Sequence, residues 1–182
     1  MHEQESLKVR FSKEQIISRV SEFTEQMGYE VVELNDQKPW GAYWKINEDQ
    51  VEEFVRDFFP NLKKEELGEG TLSPKFLLVA PNQKLSWQYH DRRAEVWSVV
   101  TGPVAISMSQ NNQEIAPAFY FEGEMVKIDQ GMRHRLISNG NWGLVAEIWK
   151  HTDQSQLSDE EDIVRLADEY QRWLRLNRRD LW

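Results

Sequence analysis

The sequence predicts a mainly β fold, a sandwich or small barrel with helices at its N-terminal end and one helix at its C-terminal end. Three observations predict it. Between Ser73 and His151 the chain breaks into short apolar or alternating runs, punctuated by Pro81-Asn82, Gly102-Pro103, Asn111-Asn112, Glu122-Gly123, Gln130-Gly131 and Asn139-Gly140-Asn141. Before that block, apolar residues recur at helical spacing. After it, Ser158 and Glu161 have the spacing of a capping box. Many short strands at such intervals favour a sandwich or closed barrel.

Taken in order, residues 12–27 read as an amphipathic helix. Ser12 with Gln15 forms the capping box, Phe11 and Ile16 form a hydrophobic staple, Ile16, Ile17, Val20, Phe23 and Met27 form the buried stripe, and Gly28 is the stop. A second helix is predicted over 48–58, capped by Asn47, with Val51, Phe54, Val55 and Phe58 buried and Pro60 beyond its end. Residues 61–72 read as a helical turn and loop. Strands are predicted over 75–80, 85–90, 94–101, 104–109, 115–121, 125–128, 134–138 and 144–150, and a helix over 159–176. Residues 1–70 thus read as a helical extension packed on a barrel spanning 71–182, the whole forming one structural domain.

Length and composition agree with this. The chain has 182 residues, 40% of them hydrophobic, enough for one domain with a real core. Eight Trp residues in so short a chain serve the core first, and sugar-binding faces second. The net charge of −9 argues against nucleic acid or an anionic membrane as partner. It does not argue against a small phosphorylated ligand, because Lys75, Lys84, Arg92, Arg93, Arg133 and Arg135 make the central segment locally basic. With no Cys, disulfides and thiolate ligands are excluded. No apolar leader or membrane-length stretch is visible, so a cytoplasmic location is expected.

The chemistry concentrates in two segments. In Leu85-Ser-Trp-Gln-Tyr-His-Asp-Arg-Arg-Ala-Glu-Val-Trp97, Gln88 and His90 share a strand face. Glu95 returns to them on the next strand if the chain bends at Asp91 to Arg93. Gly131-Met-Arg-His-Arg-Leu136 supplies a second imidazole, His134. Two imidazoles, a carboxylate and an amide oxygen converging on one point would hold a divalent metal with open positions.

These segments resemble the two cupin motifs, and more closely those of the type II mannose-6-phosphate isomerases. That family carries L-S-L-Q-x-H-H-H-R-A-E-x-W, matched over 85–97, and G-x-x-H-R-L, matched over 131–136. Its closing E-D-D-I-V-R-x-x-D-x-Y-x-R is matched by Glu160-Glu-Asp-Ile-Val-Arg165 with Asp168, Tyr170 and Arg172, and its opening K/R-P-W-G by Lys38-Pro-Trp-Gly41. The chain departs from the family where H-H-H becomes His90-Asp91-Arg92 and where Asp129 replaces a proline. About thirty extra residues separate Trp44 from Thr71.

The resemblance implies a cupin jelly-roll barrel, with Gln88, His90, Glu95 and His134 as metal ligands. Zinc is favoured by ligand type, with iron, manganese, cobalt or nickel as alternatives. It implies an aldose–ketose isomerase, with mannose 6-phosphate and fructose 6-phosphate as the first substrate pair. Arg135 and Lys75 are implied as catalytic groups, and Trp40, Tyr43 and Arg93 as substrate-binding groups. Strand alternation puts His134 and Arg135 on opposite faces unless a bulge intervenes. Isomerisation of another sugar (lyxose-like, or a heptose phosphate), a metal-dependent dioxygenase and a non-catalytic sugar-binding module remain alternatives. A homodimer is expected.

Overall fold

The computed structural model describes residues 11–172. The first helix, α1 (Lys13–Gln26), starts at the Ser12–Gln15 capping box and stops before Gly28, whose φ of 81° suits glycine. Strands β1 (Val31–Asn35) and β2 (Gly41–Ile46) follow. After them a 3₁₀ turn at Glu48–Gln50, capped by Asn47, leads into α2 (Val51–Phe58), and a short α3 (Lys64–Leu67) comes next. The central strands are β3 (Leu72–Val79), β4 (Trp87–Tyr89), β5 (Arg93–Thr101), β6 (Val104–Ser109), β7 (Ala118–Tyr120), β8 (Met125–Ile128), β9 (Arg133–Ser138) and β10 (Gly143–His151). The last strand is β11 (Val164–Ala167).

Two antiparallel sheets face each other. One has the order β1-β2-β3-β10-β5-β8 and the other β11-β4-β9-β6-β7. Alternation along the six-stranded sheet builds two separate cores. Phe76, Leu78, Trp44, Ala146 and Ile148 face outward and pack with Val20, Phe54 and Phe59 of the helical segments. Leu77, Val79, Trp97, Val99 and Val145 face inward and meet Val104, Ile106 and Leu136 of the opposite sheet. The helices therefore cover one face of a sheet whose other face lines the barrel.

Two expectations need correction. The segment read as purely helical contributes β1 and β2 to the six-stranded sheet, where β2 pairs with β3 from Gly41↔Val79 to Lys45↔Lys75. The helix predicted over 159–176 does not form across the described part. Ser158 does not cap it; its hydroxyl donates instead to Asp162, 2.6 Å away. Val164, Arg165 and Ala167 pair with β4. An open strand edge satisfied these backbone groups, and tertiary pairing overrode helical spacing. Residues 173–176 of that expected helix lie outside the described residues.

Gly41 explains why the Lys38-Pro-Trp-Gly41 segment ends in glycine. A Cβ there would sit 1.8 Å from the carbonyl oxygen of Leu78, which is backbone and cannot yield cheaply. Gly41→Ala should therefore lower the melting temperature by about 5 °C or more, a loss of roughly 2 kcal/mol at a chain of this size. Thermal unfolding of the variant checks this.

Candidate active site

At one end of the barrel the inward-facing residues change from apolar to polar, and the site lies there. Gln88 on β4 and His134 on β9 are direct cross-strand partners. His90 follows β4, and the chain then bends as the sequence suggests. The Asp162 carboxylate accepts the backbone N–H groups of Asp91 (3.0 Å) and Arg92 (3.1 Å), fixing the bend that returns Glu95 on β5. Nε2 of His90 lies 3.2 Å from one Glu95 oxygen, and Nε2 of His134 lies 3.4 Å from the other. Ligand atoms of the three residues all lie within 4.8 Å of one another.

Second contacts set the tautomers. Nδ1 of His90 is 2.6 Å from the carbonyl oxygen of Asp162, and Nδ1 of His134 is 2.9 Å from that of Met132. A carbonyl only accepts, so each Nδ1 carries the proton and each Nε2 keeps a lone pair; that of His90 accepts from Arg93 Nη2 at 3.1 Å, and that of His134 faces Glu95. Burial holds the His90 imidazole down at about 3, against the pull of Glu95, so it is neutral and ligand-competent. Burial alone would raise the Glu95 carboxyl, but His90, Arg93 and His134 overcome it and hold the acid well below the usual range.

Two buried atoms of the site, Oε2 of Glu95 and Nε2 of His134, have no hydrogen-bond partner among the described residues. Orphaned atoms of this kind are costly unless something else fills their valence, and a metal ion would do so. The Gln88 amide directs its nitrogen toward His90 Nε2, 3.5 Å away, and its oxygen toward the Ser86 hydroxyl. Turning the amide over would present the oxygen to the imidazoles. The residues present fit a divalent cation.

Above this cluster stands a wall of mixed charge. Lys75 is buried between aromatic faces, its Nζ 3.7 Å from the Trp149 ring and 4.7 Å from that of Tyr43. The same ammonium lies 2.6 Å from Glu160 and 4.0 Å from Glu147. Burial pushes Lys75 below its ordinary value, with the two carboxylates opposing. Glu147 accepts a hydrogen bond from Trp97 Nε1 at 2.9 Å. Burial pushes its carboxyl up to about 8, and the charge of Glu95 adds to the effect. Lys38, Trp40, Arg165 and Arg172 complete the lining.

Most of the residues predicted for the site are brought together. His90, Glu95 and His134 converge with Gln88 beside them, and Lys75, Trp40, Tyr43 and Arg93 line a cavity that Gln88 and Glu95 also line. Arg93 lines the cavity with its guanidinium engaged: its Nε donates to Glu95 (2.7 Å), Nη2 donates to His90 Nε2 (3.1 Å) and Nη1 donates to Ser158 (2.8 Å), so it fixes the positions of Glu95 and His90. Arg135 is not brought to the site. Alternation along β9 turns it to the opposite face, where its guanidinium binds Glu114 and Glu169, each at 3.0 Å, and the carbonyl of Ala167. No bulge is present in the β6–β9 register to bring it back.

Sequence reasoning missed Glu147 and Trp149, and read Glu160, Arg165 and Arg172 only as parts of a matched motif. The signal for Glu147 was available: one acid sits inside the otherwise apolar run Leu144-Val-Ala-Glu-Ile-Trp149. In a strand its period places it with Val145 and Trp149.

Known proteins share this architecture. Residues 58–168 match the family model described as mannose-6-phosphate isomerase C-terminal. The chain is 30% identical over 135 residues to the xanthan biosynthesis protein XanB of Xanthomonas campestris pv. campestris, covering 74% of this chain and 23% of that protein. The chain thus spans about a quarter of the length of that curated relative. Among solved structures, the capsular polysaccharide assembling protein CapF of Staphylococcus aureus superposes with a TM-score of 0.50 at 17% identity, over 77% of this chain and 35% of that one. Procruciferin, an 11S globulin of Brassica napus, does so with a TM-score of 0.50 at 15% identity, over 74% and 29%. These structures share the cupin jelly roll with the chain.

Three outcomes follow from the geometry. His90→Ala and His134→Ala should each abolish stoichiometric metal uptake and Glu95→Gln should weaken it, as metal analysis of the purified variants will read. Arg135→Ala should cost about 1–3 kcal/mol of stability by removing a buried hydrogen-bonded charge, with metal content retained; melting curves and metal analysis on one sample separate the two. For pH, His90 has its folded value depressed below the unfolded 6.5. Its contribution is present above that value and is lost as pH falls from about 6.5 toward 3, where the unfolded state binds the extra proton. Glu95, also depressed, acts in the same direction at lower pH. Glu147, raised to about 8, acts in the opposite direction as pH falls toward its unfolded value, so the readout is a difference: across that window metal-free wild type should lose melting temperature relative to a metal-free His90→Gln variant.

Proposed function

The chain belongs to the mannose-6-phosphate isomerase C-terminal family, and from that premise and its pocket we propose that it is a metal-dependent aldose–ketose isomerase acting on a sugar phosphate, with mannose 6-phosphate and fructose 6-phosphate as the first pair to test. The observation that carries this reading is the pairing of two subsites in one cavity. Gln88 and Glu95, with His90 and His134 buried directly behind them, line one side, and Lys38, Arg165 and Arg172 line another.

The cationic subsite suits a phosphate. Burial lowers Lys38, and Arg172 and Arg165 add to the effect. Arg165 is lowered by burial and by Arg172, and its buried Nε has no partner among the described residues. Arg172 is already held by Asp168 through contacts of 2.8 Å, so it is pre-positioned. Like charges gathered around an orphaned donor favour an anionic group, and a guanidinium fork fits phosphate oxygens well.

A bound divalent cation, zinc being favoured by the imidazole and carboxylate donor set, would supply Lewis-acid stabilisation for negative charge developing on the sugar oxygens. Gln88, His90, Glu95 and His134 would hold it, with Arg93 fixing Glu95 and Asp162 fixing His90. Tyr43, Trp40 and Trp149 wall the pocket and exclude water, with the Trp149 ring covered by Lys75 and Arg93, each at 3.7 Å. Lys75, enclosed by Tyr43 and Trp149, supplies a positive charge close to the reacting carbons and is the second group proposed for catalysis. The cavity between these groups is about 60 Å³, smaller than a hexose phosphate. Glu160, bonded to Lys75 and 3.4 Å from Lys45, stands at its edge and must swing outward to admit substrate.

The test is an isomerase assay on a panel of phosphorylated and free sugars with metal-loaded protein. Turnover of an aldose phosphate is expected. Arg165→Gln should raise KM for the phosphorylated substrate about 10-fold or more, the scale of one charge-assisted hydrogen bond. It should leave the KM for the corresponding free sugar little changed. Turnover of none of the panel, or equal loss on free and phosphorylated sugars, would count against the reading.

A further inference from the structure

We propose that Glu147 is the group that carries the proton between C1 and C2 of the sugar, an assignment that rests on the isomerase reading above. The argument is positional. Glu147 lies on β10 opposite Trp97 of β5, and Glu95 lies opposite Trp149. Glu147 therefore stands one inward rung from the ligand Glu95, roughly 7 Å along the strand direction. A carboxyl one rung from the cation cluster can reach a carbon whose oxygen faces that cluster.

The other titratable groups in the cavity are less well placed to accept a proton from carbon. Glu95 has both oxygens directed at the two imidazoles. Glu160 is bonded to Lys75 at 2.6 Å and lies 3.4 Å from Lys45, at the outer edge. The Lys75 ammonium is engaged by Glu160 and by two aromatic faces. The Tyr43 hydroxyl donates to Glu33 at 2.5 Å and is pushed upward by burial and by that carboxylate. Glu147 has one oxygen fixed by Trp97 and its other side facing Lys75 at 4.0 Å, too long for a hydrogen bond. One oxygen is anchored and the other is available. Its raised carboxyl supports the role, since a base effective near neutral pH is one that titrates there.

The step balances as follows. The C2–H bond of the aldose breaks and its proton goes to the Glu147 carboxylate. The electron pair forms the C1=C2 bond, and the C1=O1 π pair moves onto O1. The O2 hydroxyl proton is then lost as C2=O2 forms and is taken up at O1. The C1=C2 pair recovers the proton from Glu147 at C1, giving the ketose. No oxidant or reductant is needed, and the carboxylate is regenerated.

Glu147→Gln tests this while sparing the fold, because the amide oxygen can still accept the Trp97 hydrogen bond. Metal-loaded wild type and variant are incubated with mannose 6-phosphate or fructose 6-phosphate in deuterium oxide. Proton NMR follows both isomerisation and loss of the C1 and C2 protons. The expected result is a fall of about 10²-fold or more in both rates, the scale of a general base. Metal content, melting temperature and binding of inorganic phosphate should match the wild type. Glu147→Asp, which keeps the acid but retracts it, should give an intermediate rate and retain the acidic limb of the pH–rate profile that Glu147→Gln loses; it also serves if the glutamine variant fails to fold. Exchange by Glu147→Gln at the wild-type rate would overturn the assignment and leave the isomerase reading standing, the more so if Lys75→Met were the variant that stopped exchanging. A wild type that neither isomerises nor exchanges any sugar phosphate would overturn both.

Discussion

Strand alternation within a sheet buried on both faces is the constraint from which the rest of this structure follows. Residues of β3 and β10 have no solvent face to retreat to. Phe76 and Leu78 must meet the helices, and Lys75, Leu77 and Val79 must face the barrel. Charged residues on the inward face are therefore committed to the interior, where only hydrogen bonds, opposite charges or a bound ion can offset the loss of water. Lys75, Glu95 and Glu147 are each no more than 4% exposed for this reason. The helices are thus more than decoration. By covering the outer face they help fix which residues turn inward, and a one-residue slip would exchange the site for the core.

The segment that follows β10 does the complementary work from outside. Ser158, Asp159 and Asp162 bind Arg93, and Asp162 additionally holds His90 and the turn at Asp91 and Arg92. One short stretch thus orients an imidazole, the guanidinium that fixes Glu95, and the bend between them. His151 ties that stretch to the sheet, its Nδ1 accepting the Ser158 N–H at 2.9 Å while its Nε2 faces the Ser73 hydroxyl at 2.8 Å. Because Nδ1 accepts, the proton of the neutral ring is on Nε2. The Ser73 hydroxyl then receives a hydrogen bond and turns its own proton to Glu48. This is the reverse of what nucleophilic activation of a serine would require, so the chain of bonds is a fastening and not a hydrolytic triad.

Much of this was legible in the sequence, for identifiable reasons. The central strands are short, alternating and separated by turn residues, so their existence followed from local signals, and the convergence of His90, Glu95 and His134 followed from the face shared by Gln88 and His90 and the bend before Glu95. β1 escaped because Val31-Val-Glu-Leu-Asn35 is an edge strand with exposed Val32 and Leu34, lacking the clean alternation of a half-buried one. The segment 159–176 misled because its local spacing is that of a helix, while its partner, β4, lies 75 to 80 residues away in sequence, from Val164↔Tyr89 to Ala167↔Trp87. Arg135 shows the opposite case. Alternation alone placed it away from His134, and the family motif suggested a catalytic role; the backbone geometry is what the fold kept.

The two buried acids near the centre show how one fold sets two carboxylates to different tasks. Glu95 and Glu147 share the inward face and are both almost wholly removed from water. Glu95 has His90, His134 and Arg93 around it and stays ionised. Glu147 has an indole N–H, a lysine at 4.0 Å already claimed by Glu160, and the negative charge of Glu95, and it is held near 8. The ionised acid is suited to hold a cation, and the other to gain and lose a proton near neutral pH. The difference is made by neighbours, not by residue type. A cation held by Glu95 would counter the charge that helps to raise Glu147, so the two acids are electrostatically linked through the space between them.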